Sequence, residues 1–170
     1  MTSTNPRFNY TANAWEGGRY DDSLSLSDIT KKIKSELKAK YPDCVFSVSK
    51  ESYSGGGNIT IRLMAAKFDV FTTPDPVVAA NIRTDRIMTV DDVMKNWNYT
   101  VSKGYSQLNH YYLDRDYTIT DRTKMIMTDA RKIANSFNFD DSDGMIDYFH
   151  TNFYLNLAIG KWDKAFVKIN

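Results

Sequence analysis

Hydrophobic residues fall on alternate positions in the last third of the chain, which predicts a long half-buried β-strand from Phe149 to Ile159. The expected inward-facing set is Phe149, Thr151, Phe153, Leu155, Leu157 and Ile159. The positions between them carry the polar and aromatic residues Tyr148, His150, Asn152, Tyr154 and Asn156. Because this second row contains no lysine or glutamate, we expect it to contact another part of the chain or a ligand.

Helical spacing of apolar residues predicts two amphipathic helices. The first runs from Ser27 to Tyr41, with Ser25 or Ser27 as its N-cap and Pro42 as its stop signal. Its apolar residues are Ile29, Ile33 and Leu37. The second runs from about Thr120 to Asn135, capped by Thr120 or Asp121. Its apolar residues are Ile126, Ala130, Ile133, Ala134 and Phe137.

Between these helices the sequence predicts a β-hairpin and a further strand. Alternation at residues 44–49 and again at 59–64 gives two strands joined by a turn at Tyr53–Gly57. The segment Gln107–Leu113 is expected to be another strand. These elements predict an α+β fold in which a small antiparallel sheet, formed by the hairpin and the later strands, packs against two main helices.

The whole chain, residues 1–170, is expected to form one domain with four segments. Residues 1–26 are an N-terminal arm, in which Trp15 and Tyr20 indicate docking on the rest of the domain. Residues 27–66 are the first helix and the hairpin, and residues 67–105 are a loop-rich insertion with one or two short helices. Residues 106–170 contain a strand, a helix and the last strand.

Composition narrows the possible functions. The net charge of +1 does not favour a protein that binds nucleic acid through a strong overall positive field. Eleven tyrosines are generous for this length and weakly favour a binding surface. The single cysteine, Cys44, excludes an internal disulfide, indicates a reducing compartment, and is expected to be a core thiol. The sequence shows no membrane span or signal peptide.

Candidate chemistry is sparse. The acidic turn at Asp140–Gly144 does not fit a calcium loop, because Phe139 and His150 occupy the positions that need Asp and Glu. His110 and His150 lie on predicted strands and could form an acid–base site, although each could instead be isolated. No cofactor or metal is expected. Lys31, Lys34 and Lys38 share one face of the first helix and could contact phosphates, although such charges are usually solvated.

Two blocks of sequence resemble the large polyvalent protein associated domain family, number twenty-nine of that series, which occurs in phage and mobile-element proteins. The first comprises Ile29–Lys38, Tyr41-Pro42, Phe46–Val48, Tyr53–Gly56 and the strand from Asn58. The second comprises Asn109–Tyr112, Asn138–Asp143, Asp147–Phe149, Phe153-Tyr154 and Ile159–Trp162. The arm through Tyr20 and the segment Ala65–Tyr105 are expected to lie outside the resemblance.

The resemblance implies an α+β domain that assists an invading element in the cytoplasm of its bacterial host. It implies no catalytic residues. We therefore predict a protein that acts by binding a host defence or nucleic-acid-processing protein, and that inhibits a defence system such as a CRISPR effector. The predicted binding residues are Tyr53, Tyr111, Tyr112, Arg115, Asp140, Asp141, Asp143 and Tyr154, with the aspartates imitating phosphates.

Two alternatives remain open. One is a nucleic-acid-binding accessory protein that uses Lys31, Lys34, Lys38 and the aromatic residues. The other is a small enzyme with His110, Arg115 and His150 in its site. The oligomeric state is not predicted by the sequence.

Overall fold

The two predicted amphipathic helices form one layer of the structure, a computed structural model that describes residues 11, 13–82 and 88–170. Helix α1 spans Leu26–Lys40 and begins with a capping box between Ser25 and Asp28. The α4 helix spans Asp121–Asn135, and the side chain of its N-cap, Thr120, accepts from the Thr123 amide. Both helices are confirmed and bury the apolar residues predicted for them, except that Phe137 is buried just beyond the end of α4.

The second layer is a sheet in the strand order β2, β3, β6, β4. Strands β2 (Cys44–Tyr53) and β3 (Gly56–Ala66) form the predicted hairpin. Strand β6 (Tyr154–Ile159) lies between β3 and β4 (Ser106–Leu108). The short strand β7 (Val167–Lys168) pairs with the end of β3.

The α+β class is confirmed, but the sheet is mixed and not antiparallel throughout. Strand β6 runs parallel to β3, with Asn58 opposite Tyr154 and Leu63 opposite Ile159. It runs antiparallel to β4. The long connection between β3 and β6, which contains helices and β4, permits this parallel pairing, because parallel neighbours cannot be joined by a tight hairpin.

The last strand is shorter than predicted, since it begins at Tyr154 instead of Phe149. Phe153, Leu155, Leu157 and Ile159 are buried as expected, whereas the Phe149 side chain is 63% exposed. The preceding residues form a loop in which Asp143 and Tyr148 exchange backbone hydrogen bonds of 2.7 and 3.0 Å. Within the predicted strand, the His150 carbonyl accepts from the Asp141 amide at 2.8 Å and the Asn152 amide donates to the Phe139 carbonyl at 3.1 Å, so these backbone groups are not available for pairing with β3.

The predicted strand Gln107–Leu113 is also wrong over most of its length. Strand β4 ends at Leu108, and the Asn109 side chain then accepts from the Tyr111 amide in a tight turn. A 3-10 turn follows at Leu113–Arg115. Leu113 is buried, whereas Tyr111 and Tyr112 become exposed because the turn removes them from the sheet.

The predicted insertion contains two helices, α2 (Pro76–Asn81) and α3 (Val90–Lys103). Helix α3, with 14 residues, is longer than the short helices predicted for this segment. A Thr89–Asp92 capping box begins it, and Gly104 ends it in a left-handed conformation with φ of 58°. Residues 83–87 of this predicted insertion lie outside the described residues.

The described part of the N-terminal arm docks on the domain, as predicted from Trp15 and Tyr20. Strand β1 (Trp15–Glu16) pairs with β5 (Phe139–Asp140) in a small separate antiparallel sheet. The Tyr20 ring packs edge to face on Phe139, with ring centroids 4.9 Å apart. Residues 1–10 and 12 of the predicted arm lie outside the described residues.

One hydrophobic cluster joins the layers, since residues of α1, α4, β2, β3 and β6 all contribute to it. Helix α1 packs on β2 and against α4, and α4 also packs on β6. None of the helices that the structure describes is long and apolar enough to cross a membrane. The segments at the ends of β4, β5 and β6 meet at one edge of this assembly, where they surround a cleft.

Candidate functional site

The cleft has a volume of about 480 Å³ and is formed by segments that are distant in sequence. Its walls come from β1, the turn after β4, helix α4, strand β5 and the start of β6. We call it the aromatic cleft, because Trp15, Tyr111 and Tyr154 line it. Tyr111, Asp140 and Tyr154 are predicted binding residues, and the fold brings these three together here.

Three aromatic side chains of the cleft remain open to solvent, whereas a fourth, that of Phe153, is buried. Trp15, Tyr111 and Tyr154 are 39%, 69% and 44% exposed, respectively. Each is held by backbone pairing or a turn, because Trp15 is opposite Asp140 in the small sheet and Tyr154 is opposite Asn58 in the large one. Exposed aromatic residues on a fixed backbone are typical of protein-binding surfaces.

Arg131 and His110 form the polar side of the cleft. Arg131 projects from α4 and donates through Nη1 to the backbone carbonyl of His110. Burial, followed by the nearby Arg131 charge, lowers the pKa of His110 below its ordinary value. The His110 Nδ1 atom is buried and has no hydrogen-bond partner among the described residues. The ring of His110 lies 4.0 Å from that of Tyr111, measured between centroids.

Asp140 supplies a carboxylate to the same cleft. Its Oδ1 atom accepts from the Ser142 amide at 2.9 Å. Asn138 lies beside it and is buried, with its amide group holding Phe153 through two hydrogen bonds of 2.9 and 3.1 Å. Asn138 therefore fixes the wall of the cleft, while Asp140 provides negative charge at the cleft surface.

Other predicted binding residues lie outside the residues that line the aromatic cleft. Tyr53 is at the end of the hairpin and is 49% exposed. Arg115 stacks over the Tyr112 ring at 5.2 Å, so these two residues form a separate exposed pair. Asp143 accepts from the Met145 amide and stabilises the loop of residues 140–149, which we call the acidic loop. Their roles in binding stay predictions.

Asp141 is unsuited to imitate a phosphate in this conformation, because its side chain is completely buried. Its Oδ1 atom accepts from the backbone amide and the hydroxyl group of Thr11, both at 2.9 Å. This carboxylate therefore fastens the N-terminal arm to the acidic loop.

The acidic loop also exposes apolar residues that were not among the predicted binding residues. Met145, Ile146 and Phe149 are 93%, 58% and 63% exposed. Trp15 and Arg131 were likewise not among the predicted site residues. The adjacent apolar pair Met145-Ile146, which lies between Asp143 and Asp147, is a sequence pattern that could have indicated an exposed apolar surface. The position of Trp15 and Arg131 at one cleft follows only from the fold.

The two histidines of the enzyme hypothesis have different surroundings. His110 lines the aromatic cleft, whereas the His150 backbone amide donates to Ser142 and its ring packs on Phe139 at 4.9 Å. Cys44 is buried, and burial raises the pKa of its thiol. Within the described residues, no group of three or more His, Cys, Asp or Glu side chains could hold a metal ion.

The three lysines of the nucleic-acid hypothesis lie exposed on α1. Lys31, Lys34 and Lys38 occur in none of the ion pairs formed between described residues. By contrast, the neighbouring Lys40 pairs with Asp129 at 2.6 Å. The outer face of α1 therefore retains three accessible positive charges.

Comparison with known proteins gives one family. The family model described as large polyvalent protein associated domain 29 matches residues 24–125. The match includes the segment Ala65–Tyr105, which was expected to lie outside, and it ends before the predicted second block is complete. No curated protein and no solved structure gives a match. His110 and Tyr111 lie within the matched residues, whereas Trp15, Asp140 and Tyr154 lie outside them.

Proposed function

Because the chain belongs to the large polyvalent protein associated domain 29 family, which is associated with phages and mobile elements, we propose that it is an accessory protein that binds a host protein. The binding inhibits a bacterial defence system, such as a CRISPR effector, in the cytoplasm of the host. The mechanism is occlusion, in which this protein covers a functional surface of the defence protein, such as its nucleic-acid-binding site.

The observation that carries this proposal is the set of exposed aromatic residues around one cleft. Trp15, Tyr111 and Tyr154 provide large apolar areas with polar tips, which is the composition of interface hot spots. They come from three segments of the chain and are each fixed by local structure. Little ordering entropy would be lost on binding, because the backbone that carries them is already organised.

A plaque assay in bacteria that carry a defined defence system tests this function. Expression of the protein is expected to raise the plating efficiency of a phage that the system restricts. The double substitution Tyr111→Ala and Tyr154→Ala is expected to remove this effect, because hot-spot truncation commonly costs more than about 2 kcal/mol of binding. Tagged protein from the same cells should retain the defence protein only when both tyrosines are present.

Tyr99→Ala provides the matched control. Tyr99 is 62% exposed on α3 and does not line the cleft, so its removal changes an exposed tyrosine without altering the proposed interface. The double variant must remain folded, as shown by an unchanged circular dichroism spectrum. Protection that persists in the folded double variant would contradict the role of the aromatic cleft.

The second candidate function is nucleic-acid binding by the exposed face of α1, favoured by the three lysines that lack ion pairs among described residues. Its test is the salt dependence of binding to a labelled oligonucleotide. Lys34→Ala with Lys38→Ala should reduce the slope of log affinity against log salt by about 1.4 to 1.8, since each phosphate contact contributes about 0.7 to 0.9. Salt-insensitive binding would contradict this function.

A further inference from the structure

We propose that the aromatic cleft receives an arginine side chain of the partner protein. This inference deepens the proposed function and rests on it, because it names the chemical group that the cleft recognises. The occupant is a protein with an exposed arginine, as is common on surfaces that bind nucleic acid.

The aromatic residues of the cleft supply the first part of the argument. A guanidinium group stacks favourably on tryptophan and tyrosine rings when it lies within about 6 Å of the ring centre. Trp15, Tyr111 and Tyr154 line the same cleft, whose volume of about 480 Å³ has room for one long side chain. The protein already uses such contacts elsewhere, since Arg19 lies 4.3 Å from the Phe137 ring centre and Arg122 lies 4.0 Å from that of Phe68.

Asp140 supplies the second part. Its carboxylate lies in the cleft lining, and Oδ1 accepts from the Ser142 amide. A carboxylate offers about four acceptor positions, so this bond leaves capacity for a donor that enters the cleft. Arginine matches this geometry better than lysine, because its planar fork donates to a carboxylate through two parallel bonds.

The charge around the cleft supplies the third part. From Ile133 to Gly160 the sequence contains four aspartates and no lysine, arginine or glutamate. Asp147 is exposed in the acidic loop and Asp143 is partly exposed. This stretch leads into and out of the cleft, so a positively charged partner is attracted to this side of the molecule.

Arg131 is the positively charged side chain among the described residues that line the cleft. A guanidinium group without hydrogen-bond partners there would favour an anionic occupant. The Nη1 group of Arg131, however, is engaged by the His110 carbonyl. An anion would also have to approach Asp140 and the acidic loop, which disfavours it by like-charge repulsion. An anionic group bound at Arg131 is therefore the competing outcome that the experiment must separate.

Four blocked tripeptides of the form Gly-X-Gly test the inference, with arginine, lysine, citrulline or glutamate at the central position. Citrulline has nearly the shape of arginine but carries no charge. Binding is followed by the indole N–H signal of Trp15 in nitrogen-15 NMR spectra, assigned with Trp15→Phe. We expect saturable shifts with the arginine peptide, weaker binding of the lysine peptide, and no saturation with citrulline or glutamate.

Substitutions then place the arginine in the cleft. Asp140→Asn should weaken binding of the arginine peptide at least about tenfold, since a hydrogen bond to a charged group contributes roughly 1.5–3 kcal/mol and about 1.4 kcal/mol corresponds to tenfold. Asp114→Asn is the control, because Asp114 is exposed and lies outside the cleft lining. Tyr154→Leu should also weaken binding, whereas Tyr154→Phe should preserve it. An unchanged signal of the buried Trp97 verifies the fold of each variant.

Saturation with glutamate but not with arginine would overturn the inference in favour of an anion site at Arg131. Equal shifts with arginine and citrulline would overturn it in favour of an uncharged ligand, and the absence of saturation with every peptide would also refute it. If the defence protein is still captured through Tyr111 and Tyr154 in those cases, the proposed function stands and only the arginine is wrong. If the arginine peptide does not saturate and the defence protein is not captured, both the arginine site and the proposed function are refuted.

Discussion

A buried carboxylate shows how strongly the role of one residue depends on its surroundings. Asp140, Asp141 and Asp143 are neighbours in one acidic turn, yet one lines a cleft, one is buried and one stabilises a loop. The sequence predicts the same role for all three carboxylates, because the pattern of a turn does not specify which side chains point inward and which point to solvent. The burial of Asp141 follows from the contact of the turn with the N-terminal arm, which is distant in sequence, whereas Asp140 and Asp143 accept from amides of their own loop.

Asp141→Ala is expected to destabilise the protein by about 1–3 kcal/mol, because the substitution leaves the Thr11 amide and hydroxyl without their buried acceptor. Denaturant unfolding followed by circular dichroism measures the change. Asp143→Ala is the control, since Asp143 is less buried and accepts within its own loop. A larger loss of stability for Asp143→Ala than for Asp141→Ala would contradict this role.

His110 makes stability depend on pH. Burial and Arg131 lower its pKa in the folded state, so the unfolded state binds more protons as the pH falls below about 6.5. The stabilising contribution is therefore present above that pH and is lost on acidification through the lowered folded pKa. Between pH 7.5 and pH 5, the wild-type unfolding free energy should decrease more than that of His110→Gln. Equal decreases in paired urea titrations would refute the assignment.

Among the elements, the close contact of the two turns after α3 and β6 depends on glycine. Gly104 follows α3, and Gly160 follows β6 with φ of +65°. A Cβ atom on Gly160 would lie 2.3 Å from the Gly104 carbonyl oxygen. The Gly104 carbonyl also accepts from the Phe166 amide at 2.8 Å, which fixes the chain before β7. The contact is between backbones, so a side chain has no room there.

Gly160→Ala should destabilise the protein by at least about 2 kcal/mol, because it combines a strained left-handed backbone with a clash against main-chain atoms. Thermal unfolding is the measurement. Gly144→Ala is a matched control, since no described atom outside Gly144 and its two chain neighbours lies within 4 Å of a Cβ atom built at that loop position. If both variants melt at the same temperature, the close backbone approach does not limit stability.

In the whole molecule, the central position of β6 makes the last part of the chain necessary for folding. Strand β6 lies between β3 and β4 and buries Leu155, Leu157 and Ile159. The family match ends at residue 125, before most of α4 and all of β6. The matched residues alone therefore lack the strand that joins the hairpin to β4.

A fragment containing residues 24–125 is expected to be unfolded in isolation. Without β6, Ile59, Ile61 and Leu63 would lose their neighbours Leu155, Leu157 and Ile159, and the edge of β3 would be unpaired. The packing of α4 on β6 would also be lost. Proton NMR dispersion provides the measurement, with a fragment of residues 11–170 as the control. Well-dispersed methyl signals from the shorter fragment would show that the matched residues form a core without β6.

The sequence sufficed for the elements whose evidence is local. Apolar spacing and caps located α1 and α4, and alternation with a glycine turn located the hairpin. Apolar spacing, caps and turn residues each involve positions only a few residues apart, so they can be recognised without knowing the tertiary structure. Tyr111, Asp140 and Tyr154 of the candidate site were also selected by residue type, without any means of showing that they meet.

Long-range contacts decided the remaining features. The parallel pairing of β6 with β3 and the burial of Asp141 both depend on segments far apart in sequence. The aromatic cleft arises in the same way, because Trp15 and Arg131 reach it only when the arm pairs with β5 and α4 packs on the sheet. Side-chain periodicity specifies which residues are buried in a strand, but not which strand becomes its neighbour or in which direction that neighbour runs.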